Sequence, residues 1–194
     1  MTLTFVLKFF CAIMYMVIKM KKEQNKWIIT VFILTFILSI TFSLISNVIV
    51  ANFNNIVLSI ILILTISLGI LFDIIGTASI SSNESTFHAL NSKKKNGAKE
   101  ALFLIKNNNK ISSICNDIIG DICGIISGSL GTMLSISISS MTSMNNIVVS
   151  IILASLISAL TVGGKAIFKI IAINNADSII FAVGKIINKF SFKK

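Results

Sequence analysis

The chain has 194 residues, 55% of them hydrophobic and only 12% charged, with a mean hydropathy of +0.94. That balance excludes an ordinary water-soluble globule, in which about a quarter of residues are charged, and it excludes a disordered chain. The formal net charge of +10 comes entirely from lysines placed between apolar runs, so it indicates a membrane topology and no nucleic-acid partner.

The chain opens on a short apolar run, Thr2–Ile18, interrupted by Lys8 and followed by Lys19-Met-Lys-Lys-Glu23. It lacks the basic start and small-residue cleavage site of a signal peptide. Two readings of residues 1–19 stand side by side: an extra N-terminal helix, or a misassigned start with the protein beginning at Met20. From residue 20 onward the pattern predicts one transmembrane domain. Apolar runs long enough to cross a hydrocarbon layer of about 30 Å fall near 27–50, 56–80, 111–138 and 147–164. The fold expected is an all-α integral membrane protein with four transmembrane helices, or five if the N-terminal run counts, plus amphipathic juxtamembrane helices.

Lysines precede the first run (Lys19, Lys21, Lys22, Lys26), fill the stretch 81–110 (Lys93, Lys94, Lys95, Lys99, Lys106, Lys110) and follow the fourth (Lys165, Lys169, Lys185, Lys189, Lys193, Lys194). The connections 51–55 and 139–146 carry no charge. The positive-inside rule therefore places both outside, with the 81–110 segment and the C-terminus in the cytoplasm of a multi-pass protein of the bacterial inner membrane. Within 81–110, Phe87, Leu90, Ala98, Ala101, Leu102 and Ile105 recur at helical spacing around an Asn96-Gly97 break. This predicts two short amphipathic helices resting on the inner leaflet, and the tail 176–190 predicts another, all drawn to anionic lipid headgroups. His88 reads as a surface residue. Cys11, Cys115 and Cys123 lie in apolar stretches without zinc or disulfide spacing.

The third run carries the chemistry. A charge near the centre of a spanning helix costs roughly 2.5–3.5 kcal/mol on insertion scales, so intramembrane carboxylates call for a partner. Asp117, Asp121, Gly124, Gly128 and Gly131 follow a three-and-four spacing, which puts acids and glycines on one face and predicts carboxylates turned toward a packed interior. Counted from Lys110 at 1.5 Å per residue, Asp117 and Asp121 lie roughly 10 and 16 Å deep; Asp73, counted back from Ser82, lies about 13 Å deep. Asn116 and Thr77 add amide and hydroxyl oxygens at the same levels. An all-oxygen set of this kind selects a hard cation, with Mg2+ ahead of zinc or copper. Against it stands a structural cluster in which Lys165 neutralises an aspartate.

Two enzyme readings fit poorly. Phe72-Asp73 with Gly120-Asp121 is superficially the pair of an intramembrane aspartyl protease, but Ile118 occupies the first glycine position of that motif and the chain has no proline. Asp117-x-x-x-Asp121 is half of a CDP-alcohol phosphotransferase motif whose other elements are missing. The expectation is a protein that is not an enzyme.

Gly76-Thr-Ala-Ser-Ile80, Leu90–Leu102 with its lysines and Gly-Ala-Lys, Ile114-Cys-Asn-Asp-Ile-Ile-Gly120 and Gly164-Lys-Ala-Ile-Phe-Lys169 occur in an order that resembles the transmembrane module of the cyclin M and CorC/CorB magnesium-transporter family. The resemblance covers Phe72–Phe190. It implies a dimer that holds a dehydrated Mg2+ through polar groups of the first and third elements and a glutamate of the last. Lys165 stands at that glutamate, Phe168 at the family's proline and Ser79 at the glutamate of the first motif. Asp73, Asp117 and Asp121 are additional acids. The resemblance is to a short form lacking the family's cytoplasmic domains, either a divalent-cation binder or transporter with carboxylates on new helices, or a non-transporting scaffold or regulatory subunit.

Overall fold

A computed structural model of the chain describes residues 30–41, 43–44 and 54–190. The run Thr2–Ile18 with Lys8 and Cys11, the alternative start at Met20 and part of the first predicted span lie outside the described residues. All regular secondary structure among the described residues is helical, without a strand. The absence of proline and the long uninterrupted apolar runs leave the backbone no cheaper way to satisfy its polar groups.

The helices are α1 (Thr30–Thr41), α2 (Asn55–Ser81), α3 (Glu84–Ser92), α4 (Ala98–Lys106), α5 (Asn108–Ser112), α6 (Gly120–Thr142), α7 (Asn146–Asn174) and α8 (Ala176–Phe190), with a π-helical segment, Ser113–Ile119, joining α5 to α6. Three helical stretches, Asn55–Ser81, Asn108–Thr142 and Asn146–Asn174, are long and apolar enough to cross a membrane. They are compatible with a multi-pass membrane protein. The last of them runs ten residues past the predicted end at Gly164, because Lys165 and Lys169 are good helix formers and no stop signal intervenes before Asn174. The turn between α6 and α7 is set by Ser143 at φ 56° and by Asn145, whose side chain accepts from the Ile147 N–H at 2.9 Å.

The described residues divide into two compact units, one containing Asp73–Asp117 and residues 169–190, the other the described residues up to Phe72 and Ile118–Phe168. In the second, Leu58, Leu62 and Ile66 of α2, Leu130 and Leu134 of α6 and Ile157 of α7 form one buried cluster. The four-residue spacing makes each set a ridge along its helix. A side chain on Gly131 would strike Ile157, one on Gly164 would strike Ile70, and one on Gly69 would come within 3.1 Å of the Cys123 Cβ, so small residues set how closely these helices approach. Ser137 donates to the Asn55 Oδ1 at 2.8 Å, tying α6 to α2. The outer surface of this unit is apolar, with Ile60, Ile63, Ile125, Ile136, Ile151 and Leu156 all exposed.

The first unit is built differently. Phe87 of α3, Ala98, Ala101, Leu102, Leu104 and Ile105 of α4, and Ile180 of α8 are buried together with Ile111 and Ile114. The amphipathic helices expected to lie singly on a leaflet thus have much of their apolar surface covered by protein, since α4 packs against both α3 and α8. Gly97 and Gly184 permit this. Gly97 has φ +84°, and any Cβ there would sit 2.6 Å from the Lys185 backbone nitrogen; a Cβ on Gly184 would meet the Gly97 carbonyl and the Ala101 side chain. At the rim, Asn188 donates to the Glu100 Oε1 at 3.0 Å and Lys185 lies 4.3 Å over the Phe181 ring. His88, on the surface as expected, sits 3.2 Å from the Glu84 carboxylate.

Candidate cation site

In the first unit, α2 places Asp73, Gly76 and Thr77 within one turn, at the three- and four-residue offsets that share a face. Asp73 is half-buried and Thr77 is 8% exposed. Gly76 is where the π-helical segment comes closest: a side chain there would overlap the Asn116 Oδ1 and lie 3.1 Å from the Cys115 Cβ. Asp73 in turn is near enough to Cys115 to act on it electrostatically. One face of α2 and the Cys115-Asn116 pair therefore meet, bringing three of the predicted donors, Asp73, Thr77 and Asn116, into one neighbourhood.

Asn116 is the most informative of the three. Its amide nitrogen donates to the Ser112 Oγ at 3.2 Å, which fixes the side chain, whereas its Oδ1 is buried without a hydrogen-bond partner. A buried carbonyl oxygen left unpaired costs about 1–3 kcal/mol, so an unmet acceptor against Gly76 calls for a partner. The π-helical geometry that sets it there is uncommon and recurs at functional sites. Carboxylate, hydroxyl and amide oxygens are hard donors, and the set fits a hard cation.

The other two predicted acids differ in setting. Asp117 and Asp121 are exposed, and so are Gly124 and Gly128, at which an added side chain would meet nothing within 4 Å. Of the stripe, Gly131 is buried. The expected inward turn of acids and glycines together is not what the exposures show; the π-helical segment contains Asp117 and winds more widely than an α-helix, so a face counted at α-helical spacing drifts across it. Between α6 and α7 the glycines border an open groove of about 280 Å³ whose other wall carries Ala154, Ser158 and Thr161. Among the described residues, no three of the His, Cys, Asp and Glu side chains gather in a group able to hold a metal ion. Lys165 is half-buried in the second unit, near Cys123. Cys115 and Cys123 are free thiols.

Sequence reasoning did not foresee the Ser112–Asn116 bond, the packing of Gly76 on Asn116 or the π-helical winding. Gly76 was readable as a small residue on the face of Asp73. The π-segment left no signal beyond a polar pair, Asn116-Asp117, in an apolar run.

Comparison with known protein families, curated proteins and solved structures finds no match for this chain.

Proposed function

We propose that this protein binds or transports a divalent cation, Mg2+ first, at a site of the inner membrane formed around Asp73, Thr77 and Asn116, in the manner of the CorC/CorB-type transporters that its motif order resembles. The observation that carries the reading is the buried, unpartnered Oδ1 of Asn116 against the Gly76 turn that also bears Asp73 and Thr77. Asp73 supplies charge, Thr77 and Asn116 supply neutral oxygens, and retained waters complete the shell of an ion that gives up its hydration reluctantly. Asp117 and Asp121 serve as further acids on the route of the ion, and as a transporter the protein exposes the site alternately to the two sides. The lysine distribution supports a cytoplasmic location for the 81–110 segment and the C-terminus, held against anionic lipid headgroups. The family resemblance supports a homodimer.

A second reading draws on the exposure of Asp117 and Asp121 beside the open positions Gly124 and Gly128. In it the protein is a scaffold or regulatory subunit whose acidic stripe docks a basic helix, and Lys165 is a fixed counter-charge. Protease protection of the purified protein with and without Mg2+, repeated on Asp117→Asn, Asp121→Asn and Lys165→Ala, separates the two. Mg2+ protection that survives Lys165→Ala supports the cation site. Absence of Mg2+ protection, with strong destabilisation by Lys165→Ala, overturns it in favour of the scaffold.

A further inference from the structure

We propose that α4 and α8 together present one face that docks on the anionic surface of the bilayer, and that this face is the lysine-bearing side of the two helices instead of the apolar stripe that their sequences alone would insert. The proposal rests on the membrane location argued above and is independent of the Asp73 site.

The apolar stripes are already occupied by protein. Ala101, Leu104 and Ile105 of α4 and Ile180 and Gly184 of α8 are buried within the first unit. What remains outside is mixed. On α4, Lys99, Phe103 and Lys106 follow at offsets of four and three, which puts them on one face, and Phe103 is 46% exposed. On α8, the exposed Lys185 and Lys189 stand one turn apart, with Ile186, 48% exposed, beside them. Large apolar tips held outside a core and ringed by cations suit an interface with lipid. The tips enter the headgroup boundary while the lysine stems lie along it and carry their charges to the phosphates.

The bond from Asn188 to the Glu100 Oε1, at 3.0 Å, brings these two surfaces to one side. Glu100 lies three residues before Phe103, and Asn188 three after Lys185, so each bonded residue is the helical neighbour of one on the proposed face. The two surfaces therefore flank the same tie. Glu100 is the acid of that rim, and its charge is largely withdrawn, since Oε1 accepts from Asn188 and Oε2 is buried. Little negative charge is left to oppose an anionic partner.

The course of α7 favours lipid as that partner over an acidic protein. Its 29 residues span about 43 Å at 1.5 Å per residue, the thickness of a bilayer with its headgroup layers, about 40–45 Å. Its last turns still expose Ile170, Ile171 and Ile173. Only Asn175 separates that apolar end from α8, so α8 sets out from the level of the headgroups.

The test places a tryptophan at the proposed contact. Phe103→Trp in a Trp27→Phe background, which removes the chain's one native tryptophan, is reconstituted as the full-length protein into nanodiscs of acyl-brominated phosphatidylcholine with or without phosphatidylglycerol, in EDTA. Bromine quenches only a tryptophan that reaches the lipid. The expected result is quenching several-fold stronger with phosphatidylglycerol than without it, lost at about 1 M salt, where the screening length falls to about 3 Å. It is expected to be lost also when Lys99, Lys106, Lys185 and Lys189 are all changed to Gln. Absence of quenching with phosphatidylglycerol, or equal quenching in neutral discs, overturns the proposal. Should Phe103→Trp fail to fold by circular dichroism, Ile186→Trp in the same background decides by the same criteria. Because EDTA removes Mg2+, failure here leaves the Asp73 reading standing, and failure of that reading leaves this face untouched.

Discussion

The two units use their apolar residues differently. In the first, large side chains such as Phe87, Leu104 and Ile180 are buried, while Ile170, Ile171, Ile173 and Ile186 stay exposed among the lysines. In the second, Ile60, Ile125, Ile151 and Leu156 face outward, and the interior is a narrow seam of four-residue ridges with glycines at the closest approaches. The difference shows where each draws its stability. Burial of large side chains stabilises the first; the second has its closest helix approaches at small residues and an interhelical hydrogen bond from Ser137 to Asn55, the means by which helices compatible with a membrane associate. A site that needs fixed oxygens is better served by the first kind of packing, and that unit holds Asp73, Thr77 and Asn116.

Substitutions sharpen this contrast in order of size. Phe87→Ala, which empties the centre of the first unit, is expected to cost about 3–5 kcal/mol. Thermal unfolding followed by circular dichroism, together with faster proteolysis at the Lys93–Lys95 turn, measures it; a loss below about 1 kcal/mol would mean that this unit is not held by burial. Next, Gly184→Ala drives a methyl group into the Gly97 carbonyl and the Ala101 side chain. A destabilisation of about 1–3 kcal/mol is expected from the overpacking. In the second unit Ser137→Ala removes the bond to Asn55 and is expected to cost about 0.6 kcal/mol, the mean measured for interhelical hydrogen bonds within membranes. Gly128→Ala adds a methyl group to open space and should change stability by less than about 0.5 kcal/mol. A loss above 1.5 kcal/mol there would show that a helix or a second chain covers the stripe, and would favour the scaffold reading.

Much of the fold was legible because apolar runs and lysine-rich breaks are strong signals. The run 56–80 coincides with α2, and the Asn96-Gly97 break falls between α3 and α4, where Gly97 takes the left-handed conformation that a break of this kind requires. The partnership of the amphipathic helices was not legible. Alternating lysines and apolar residues look the same whether the apolar face meets lipid or another helix, and Gly184 signals close packing only once Gly97 is opposite it. In the candidate site, depth counting brought Asp73, Asp117 and Asp121 to one level, with Asn116 and Thr77 as neighbouring oxygens, but it treated the third helix as regular. The π-helical segment Ser113–Ile119 breaks that assumption, and the exposed Asp117 and Asp121 follow from three-dimensional winding that no count at fixed rise contains. The bond from the Asn83 N–H to the Asp177 carboxylate joins residues 94 positions apart, a separation across which local patterns carry no information.

The measurement that tests the central claim most directly is the Mg2+-dependent shift in the thermal midpoint of the purified protein, compared between wild type, Asp73→Asn and Gly76→Ala. An ion that binds only the folded state stabilises it by RT ln(1 + [L]/Kd), about 2.7 kcal/mol at a hundredfold excess over Kd. The account predicts a clear upward shift with Mg2+ in the wild type. It predicts loss of that shift in Asp73→Asn, and also in Gly76→Ala, where the added methyl group displaces the Asn116 Oδ1. A Mg2+ shift that persists undiminished in both, or no shift in the wild type, would contradict it.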